Sequence, residues 1–199
     1  MELAKVCGII GCSNEVSVYV TEVLHRRPIN QNAFCLEHFQ TFLNSIDSKH
    51  SVSQPPSASV AGDEILFDVE LLCFFYRRDI HQGDIVQVHL REESGSRAII
   101  IEIGYCEYSV LYHLLAGAPR SRPLTHQAMA STISSLQALL KDVVIDRKDE
   151  KEHHFSAHLR IEQGNRAVLV DVRPSDAISL ALSTGAPIRV AESLLLSSG

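Results

Sequence analysis

What the sequence lacks excludes several classes of protein. No apolar run approaches the roughly 18 residues that a helix needs to cross a bilayer, and the start MELAKVCGIIGCSNEV has no sustained apolar stretch of the secretory type. The chain also has no Gly-rich phosphate loop, no Ser-His-Asp order and no HExxH motif, so NTPases, common hydrolases and zincins find no support. We therefore expect a soluble, cytoplasmic protein outside these enzyme classes.

Cysteine is scarce, and basic residues are outnumbered by acidic ones. The five cysteines are odd in number and lie toward the front of the chain, so we expect metal ligation or burial rather than a disulfide framework. The formal net charge of -6 repels a phosphate backbone at long range. A nucleic-acid partner would therefore need a local basic patch or a bound cation.

A polar stretch divides the chain into two parts. Residues 47–62 are rich in serine and carry Pro55 and Pro56, a composition typical of a flexible linker. They separate a head, residues 1–46, from a body, residues 63–199. With 45% hydrophobic residues in the chain, the body can bury a core, whereas the head is so short that it needs a further stabilising element such as a bound metal.

The body contains one short motif twice. HLREESGSRA begins at His89 and HLRIEQGNRA begins 69 positions later at His158, with seven of ten residues identical. Each copy predicts a strand, a Gly-containing turn and a second strand, and a helical pattern that stops at Gly-Ala-Pro follows each. Because one copy cannot bury its own apolar face, we expect both to pack together in a duplicated α+β domain with a mixed sheet.

Between the two copies, RPLTHQAMASTISSLQALL predicts a longer helix. Thr125 is the expected N-cap. Apolar residues recur at helical spacing at Met129, Ile133, Leu136 and Leu140. We expect this helix to reach Leu140 and a polar connection at residues 146–152 to follow it.

The head carries four metal-type ligands at regular spacing, namely Cys7, Cys12, Cys35 and His38. Cys35 and His38 lie three apart in a helical pattern and so project from one face. The other two thiolates can complete a tetrahedral site of three sulfurs and one nitrogen, the geometry that zinc prefers. All four positions are filled, which predicts a structural zinc in a zinc-ribbon-like head. A set of unrelated buried cysteines is the alternative.

The strand-like VYVTEV, residues 18–23, and the Cys spacing around it extend this interpretation. Over about 35 residues they resemble the small zinc-binding head of protein-arginine kinase activators, although His38 replaces the usual last Cys. The resemblance implies a module that docks a protein partner.

Four acids occupy matching places in the two copies. Glu102 and Asp171 fall late in matching strands, on faces with apolar neighbours, and Glu107 and Asp176 begin the helices that follow. Four carboxylates related by pseudo-symmetry could hold one or two Mg2+ or Mn2+ ions that activate water for phosphodiester hydrolysis.

A structural explanation of these acids stays open. Negative charge is favoured at helix N-termini, with Ser175 as a cap, and Arg173 or Arg166 could pair with Asp171. His126, at the start of the longer helix, could act as an acid or base near a phosphate, or could be an ordinary exposed residue of the first turn.

The stretch VDVRPSDAISLALSTGAPIRVAESLL, residues 170–195, together with RPLTH at 122–126 and IGYCEYSVLYHLLAG at 103–117, closely resembles the bifunctional nuclease (BFN) domain family. The resemblance covers about residues 65–196. It implies divalent-metal-dependent cleavage of DNA and RNA. The family's acids and bases fall on Glu107, His126, Asp171, Arg173 and Asp176. Glu102 departs from the family pattern, in which a Trp is frequent.

Two functions are compatible with these patterns. The first is a nuclease in which some of the four acids hold Mg2+ or Mn2+ while His126 or Arg173 contacts the phosphate. The second is a noncatalytic regulatory or interaction protein in which a dimerising α+β body carries a zinc head that docks a partner. The negative net charge favours the second function and the resemblance favours the first. Neither function involves a membrane.

Overall fold

A mixed sheet and three helices make up the part of the chain that the computed structural model describes. That part comprises residues 18–24, 27–34, 58–61, 64–77, 84–92, 97–117, 121–149 and 154–197. The predicted zinc ligands Cys7, Cys12, Cys35 and His38 and the turn predicted at residues 93–96 lie outside it. The α+β class expected from the sequence is confirmed. None of the described helices is long and apolar enough to cross a membrane.

The strands and helices have the following bounds. The first half contains β1 (Val18–Leu24), β2 (Arg27–Phe34), β3 (Ala58–Ala61), β4 (Glu64–Arg77), β5 (Ile85–Glu92), β6 (Arg97–Ile103) and α1 (Tyr105–Ala116). The second half contains α2 (Thr125–Ser135), β7 (Leu139–Lys148), β8 (Phe155–Gln163), β9 (Arg166–Val172), α3 (Pro174–Thr184), β10 (Ile188–Ala191), a 3-10 turn (Glu192–Leu194) and β11 (Leu196–Ser197). β3 falls within the stretch predicted to be a linker.

The strands form one sheet in the order β11-β6-β5-β4-β10-β7-β8-β9. Neighbours in this order are antiparallel except β10 and β7, which run parallel. The long strand β4 also pairs with β1, from Val18 opposite Arg77 to Glu22 opposite Cys73, and with β3. Strands from the predicted head and linker thus join the same sheet as the body.

The two hairpin-and-helix segments have matching bounds. β9 (166–172) lies 69 positions after β6 (97–103), and α3 begins 69 positions after α1, at 174 and 105. Both helices end at a left-handed glycine, Gly117 at φ 59° and Gly185 at φ 82°. Glycine tolerates this conformation because it has no Cβ, which explains the helix stops seen in the sequence.

The core lies between one face of the sheet and helices α1 and α3. Alternate residues of the strands point into it, as their period of two requires. Buried members are Val88, Leu90, Ile99, Ile101, Val143, Ile145 and Leu159 from the sheet and Leu111, Leu115, Ile178 and Leu180 from the helices. Burial of each large aliphatic side chain stabilises the fold by roughly 1.5–3 kcal/mol. This packing fixes where the N-termini of α1 and α3 lie.

The helix predicted to run from Thr125 to Leu140 is shorter, so that prediction was wrong at its C-terminal end. α2 ends at Ser135, Gln137 turns with a positive φ of 57°, and Leu140 is buried in β7. The N-cap is Leu124, whose backbone N–H donates to the Gln127 side chain. Over a run this short, the apolar residues from 140 onward fit the spacing of a helix as well as that of a strand. Burial in the sheet decides in favour of the strand.

The predicted polar connection at residues 146–152 also begins too early. Asp146, Arg147 and Lys148 are the last residues of β7, where Arg147 pairs with Ser156 and Lys148 with Phe155 of β8. A charged strand end is compatible with the exposed end of a hairpin, so composition alone did not mark the boundary.

Candidate functional site

The N-termini of α1 and α3 meet at a cavity of about 940 Å³. Its wall includes Gly104 and Glu107 at the start of α1, and Arg173 and Ser175 at the start of α3. Neither helix has a side-chain cap at its N-terminus, so the Ser175 cap expected from the sequence was wrong; Arg173 is the N-cap and Pro174 follows it. Uncapped backbone N–H groups carry partial positive charge, so both helix ends favour an anion in the cavity.

Arg173 connects the two helices through hydrogen bonds to their first-turn acids. Its Nη1 donates to Glu107 Oε1 at 2.9 Å, its Nε donates to Asp176 Oδ2 at 2.9 Å, and its Nη2 lies 3.3 Å from Asp176 Oδ1. These contacts, the Asp176 bond foremost, raise the pKa of Arg173. The side chain is 66% exposed, so the guanidinium keeps N–H groups that face solvent.

His126 lies behind Arg173 and bonds to the same carboxylate. Its Nε2 is 3.0 Å from Asp176 Oδ1. Burial alone would raise the pKa of Asp176, but the hydrogen bonds from Arg173 and His126 outweigh it and lower the pKa. Asp176 is therefore an anion at neutral pH, and Nε2 of His126 donates the proton of this bond. The other ring nitrogen, Nδ1, is buried without a partner among the described residues.

Four of the six residues that the sequence proposed for catalysis thus come together, namely Glu107, His126, Arg173 and Asp176. We refer to these four residues as the Arg173 cluster. Glu107 and Arg173 line the cavity. Asp176 binds Arg173, and His126 in turn binds Asp176. The cluster joins the starts of all three described helices.

The two strand acids lie outside this cluster. Glu102 lines the cavity but is exposed and accepts a hydrogen bond from Gln87 Nε2 at 3.2 Å. Asp171 is exposed on β9, and its side chain makes no hydrogen bond or ion pair with any residue that the structure describes. Both acids have the apolar neighbours expected from the sequence, but that face is open to solvent: Ile100 is 41% and Leu169 67% exposed. Ile99 and Ile101 face the core, so Glu102 points to the opposite side of the sheet.

The cluster as arranged does not fit a divalent metal ion. Among the described residues, no group of three or more His, Cys, Asp or Glu side chains is placed to hold a metal. The positive guanidinium of Arg173 already lies between Glu107 and Asp176 and bonds to both. A divalent cation in contact with both carboxylates would have to displace it against charge repulsion.

Sequence reasoning missed three further residues of the cavity. Lys148 and His154, at the ends of β7 and β8, lie on its wall, and Lys148 Nζ is 5.3 Å above the ring of Phe155. At Gly104, an added Cβ would lie only 2.4 Å from Glu107 Oε2. The absence of a side chain there leaves room for the Glu107 carboxylate. The charged stretch at residues 147–154 and the glycine before α1 were the available signals.

Comparison with known proteins identifies the family. The chain belongs to the bifunctional nuclease domain family, whose profile matches residues 88–199 and so includes the whole Arg173 cluster. This confirms the resemblance that the sequence motifs indicated.

Two relatives have no described function. They are the uncharacterized proteins MT1877 and Rv1829 from two strains of Mycobacterium tuberculosis, CDC 1551 / Oshkosh and ATCC 25618 / H37Rv. Each is 37% identical over 110 residues, which cover 55% of this chain and 64% of the relative. The match thus spans less than two thirds of the length of these relatives.

Proposed function

We propose that the protein hydrolyses phosphodiester bonds of DNA or RNA at the cavity between the N-termini of α1 and α3. The observation that carries the proposal is Arg173, which is exposed on the wall of this cavity and is held by two carboxylates. Membership of a nuclease domain family supports the same reaction.

Arg173 supplies the phosphate contact. Its exposed N–H groups and planar fork match the geometry of a phosphate oxygen pair, and the two uncapped helix ends add partial positive charge. As the phosphorus is attacked, negative charge grows on its oxygens. Donors fixed in advance stabilise that charge without reorganisation.

Glu107 is the general base of this mechanism. It uses Oε1 for Arg173, while Oε2 lies beside Gly104 on the cavity wall. Oε2 takes a proton from a water molecule, whose oxygen then forms a bond to phosphorus as the bond to the leaving sugar oxygen breaks. Solvent in the open cavity protonates the leaving oxygen, which balances the step.

Asp176 and His126 are positioning residues. Asp176 binds Arg173 through both of its oxygens, and His126 holds Asp176 from the start of α2. Paired hydrogen bonds fix the plane of a guanidinium, and a small misplacement of such a group lowers catalysis strongly. Both residues therefore act through Arg173.

Metal dependence is a separate prediction. The family resemblance implies Mg2+ or Mn2+, but the Arg173 cluster does not fit such an ion and the mechanism proposed here has no step that uses one. The structural zinc predicted at Cys7, Cys12, Cys35 and His38, outside the described residues, has no part in this mechanism. Metal analysis of the full chain should find about one zinc, and Cys35→Ser should lose it.

The nuclease proposal is tested by incubating the full chain with single-stranded DNA, duplex DNA and RNA, each with Mg2+, Mn2+ or EDTA. We expect cleavage by the wild type, and a loss of about 100-fold or more in Arg173→Ala and in Glu107→Gln. Arg166→Ala is the matched control, because Arg166 is exposed on β9 and its side chain bonds to no described residue. Absence of cleavage under every condition, or full activity of Arg173→Ala, would contradict the proposal.

A second candidate function is a noncatalytic regulatory protein that dimerises and docks a partner through its head. The observation that favours it is the outermost strand β9, where Val168 and Leu169 are 44% and 67% exposed. An exposed apolar edge strand is a template for pairing with another chain. Light scattering tests this candidate: a dimer mass that Leu169→Lys converts to a monomer supports it, and a monomeric wild type opposes it.

A further inference from the structure

Four of the five tyrosines of the chain form one aromatic cluster along α1 and the end of β4. Tyr105, Tyr108 and Tyr112 recur at the spacing of one helix face, with ring centroids 6.0 and 6.1 Å apart. Tyr76 of β4 stands 6.3 Å from Tyr108 in a nearly parallel stack and 5.7 Å from Tyr105. We refer to these four residues as the tyrosine cluster.

Tyr105 is the open end of this cluster. Its side chain is 54% exposed, whereas Tyr76 is buried at 4%. Tyr76 and Tyr108 support the Tyr105 ring from within the protein, so it presents an aromatic surface to solvent in a fixed place. Exposed aromatic rings that neighbours hold in place lose little conformational entropy when a flat ligand stacks on them.

The tyrosine cluster begins in the same helical turn as the cavity residues. Tyr105 directly follows Gly104, and Glu107, two residues later, accepts the hydrogen bond from Arg173. Because residues two apart on a helix project from different sides, Tyr105 and the Glu107–Arg173 pair lie on different sides of one helix N-terminus, where a strand that crosses this end can contact both. Single-stranded nucleic acid presents this pair of features, a flat base beside each phosphate.

We infer that Tyr105 stacks on an unpaired base of a single-stranded DNA or RNA whose phosphate contacts Arg173. This inference rests on the proposed nuclease function and specifies its substrate class. In a duplex, neighbouring bases already cover both faces of each base, so a duplex would have to unstack before it could use Tyr105. Stacking also compensates for the long-range repulsion between the phosphates and a net charge of -6.

The experiment measures binding of fluorescent oligonucleotides to the full chain by anisotropy. All proteins carry Glu107→Gln to prevent hydrolysis. The probes are a single-stranded DNA, the matching RNA, the DNA duplex and an abasic DNA strand of the same length, which keeps every phosphate but has no bases. Tyr105→Ala and Tyr105→Phe are compared with Leu139→Ala, which removes a similarly exposed apolar side chain from β7. Thermal unfolding of each variant checks that it is folded.

We expect Tyr105→Ala to weaken binding of the single strands by roughly 5-fold or more, while Tyr105→Phe and Leu139→Ala keep the parent affinity. The abasic strand and the duplex should bind more weakly and should not respond to Tyr105→Ala. If Tyr105→Ala binds the intact single strand as tightly as the parent, or if the abasic strand binds as tightly as the intact one, the inference is overturned. Binding of peptides rather than nucleic acid would overturn it as well.

The inference and the proposed function can fail separately. Wild-type cleavage with no effect of Tyr105→Ala on affinity would overturn the stacking role and leave hydrolysis standing. Binding of single strands that depends on Tyr105, in a wild type that cleaves nothing, would support the stacking role and overturn hydrolysis.

Discussion

His89 and His158 show how far two copies of one motif can differ at a single residue. The His89 ring lies perpendicular to Phe75, with centroids 4.1 Å apart, and its Nε2 is buried without a partner among the described residues. Burial first, and the charge of Arg91 second, lower the pKa of His89 to about 3. His158 Nε2 instead lies 2.6 Å from Asp146 Oδ2. The repeated sequence thus specifies a strand and leaves the role of each histidine to its surroundings.

The lowered pKa of His89 predicts a pH-dependent stability. In the unfolded chain His89 takes up a proton near the ordinary pKa of 6.5, whereas in the folded protein it does so only near pH 3. The stability that neutral His89 contributes is therefore present above pH 6.5 and is lost as the pH falls. One proton corresponds to a slope of about 1.4 kcal/mol per pH unit. Urea unfolding between pH 5 and pH 7 should show a steeper rise of stability with pH in the wild type than in His89→Gln, with the difference approaching this slope at the acid end of the range. Equal slopes in wild type and His89→Gln would contradict the account.

At the scale of elements, the start of α1 matters because Gly104 and Glu107 share one space. The backbone of Gly104, at φ -73° and ψ 161°, is one that any residue adopts. An alanine there is therefore not strained, but its Cβ would lie 2.4 Å from Glu107 Oε2, and the flexible carboxylate would have to swing away. Gly104 thus determines where the Glu107 carboxylate lies and has little influence on the fold.

We therefore predict that Gly104→Ala lowers nuclease activity about 10-fold or more while the melting temperature stays close to that of the wild type. The reason is that the displaced Glu107 carboxylate leaves both Arg173 and the cavity wall. Gly185→Ala is the opposite control: at φ 82° it should cost about 1 kcal/mol of stability and leave the activity of the folded protein unchanged. Parallel thermal melts and cleavage rates measure both, and a Gly104→Ala variant with wild-type activity would refute the role given to Gly104.

Sequence patterns predicted the elements better than the contacts between them. β6 is the second strand predicted for the first copy, and α1 stops at the predicted glycine, because strand alternation and the left-handed glycine are local signals. Within the Arg173 cluster, Arg173 and Asp176 lie three residues apart and could be paired from the sequence. Glu107 lies 66 residues from Arg173, and His126 lies 50 residues from Asp176, so only packing brings them together.

At the scale of the whole molecule, several described arginines outside the cluster bind acids of the protein itself. Arg160 and Arg189 both bond to Asp142, which is fully buried, and Arg189 also donates to Asp68 at 2.8 Å. Arg160, considered on composition alone, would have counted toward a basic surface. Among the described residues of the cavity wall, Arg173 and Lys148 are the cations that can face a phosphate, against a net charge of -6.

So few phosphate contacts predict a weak dependence of binding on salt. Two contacts to a single strand correspond to a slope of about -1.4 in a plot of log affinity against log salt concentration. Lys148→Ala should reduce the magnitude of that slope by about 0.7, whereas Lys141→Ala, whose ammonium pairs with Glu162 at 2.6 Å, should not change it. Anisotropy titrations between 50 and 200 mM salt measure the slope, and a value of about -4 or steeper would mean that a larger basic surface binds the strand.

The measurement that tests the central claim most directly compares cleavage rates of one labelled single strand by Asp176→Asn and Asp171→Asn. Asp176 holds both Arg173 and His126, whereas the side chain of Asp171 bonds to no residue that the structure describes. The account predicts that Asp176→Asn loses about 100-fold in rate and that Asp171→Asn stays within about twofold of the wild type. Full activity of Asp176→Asn, or an equal loss in both variants, would contradict it.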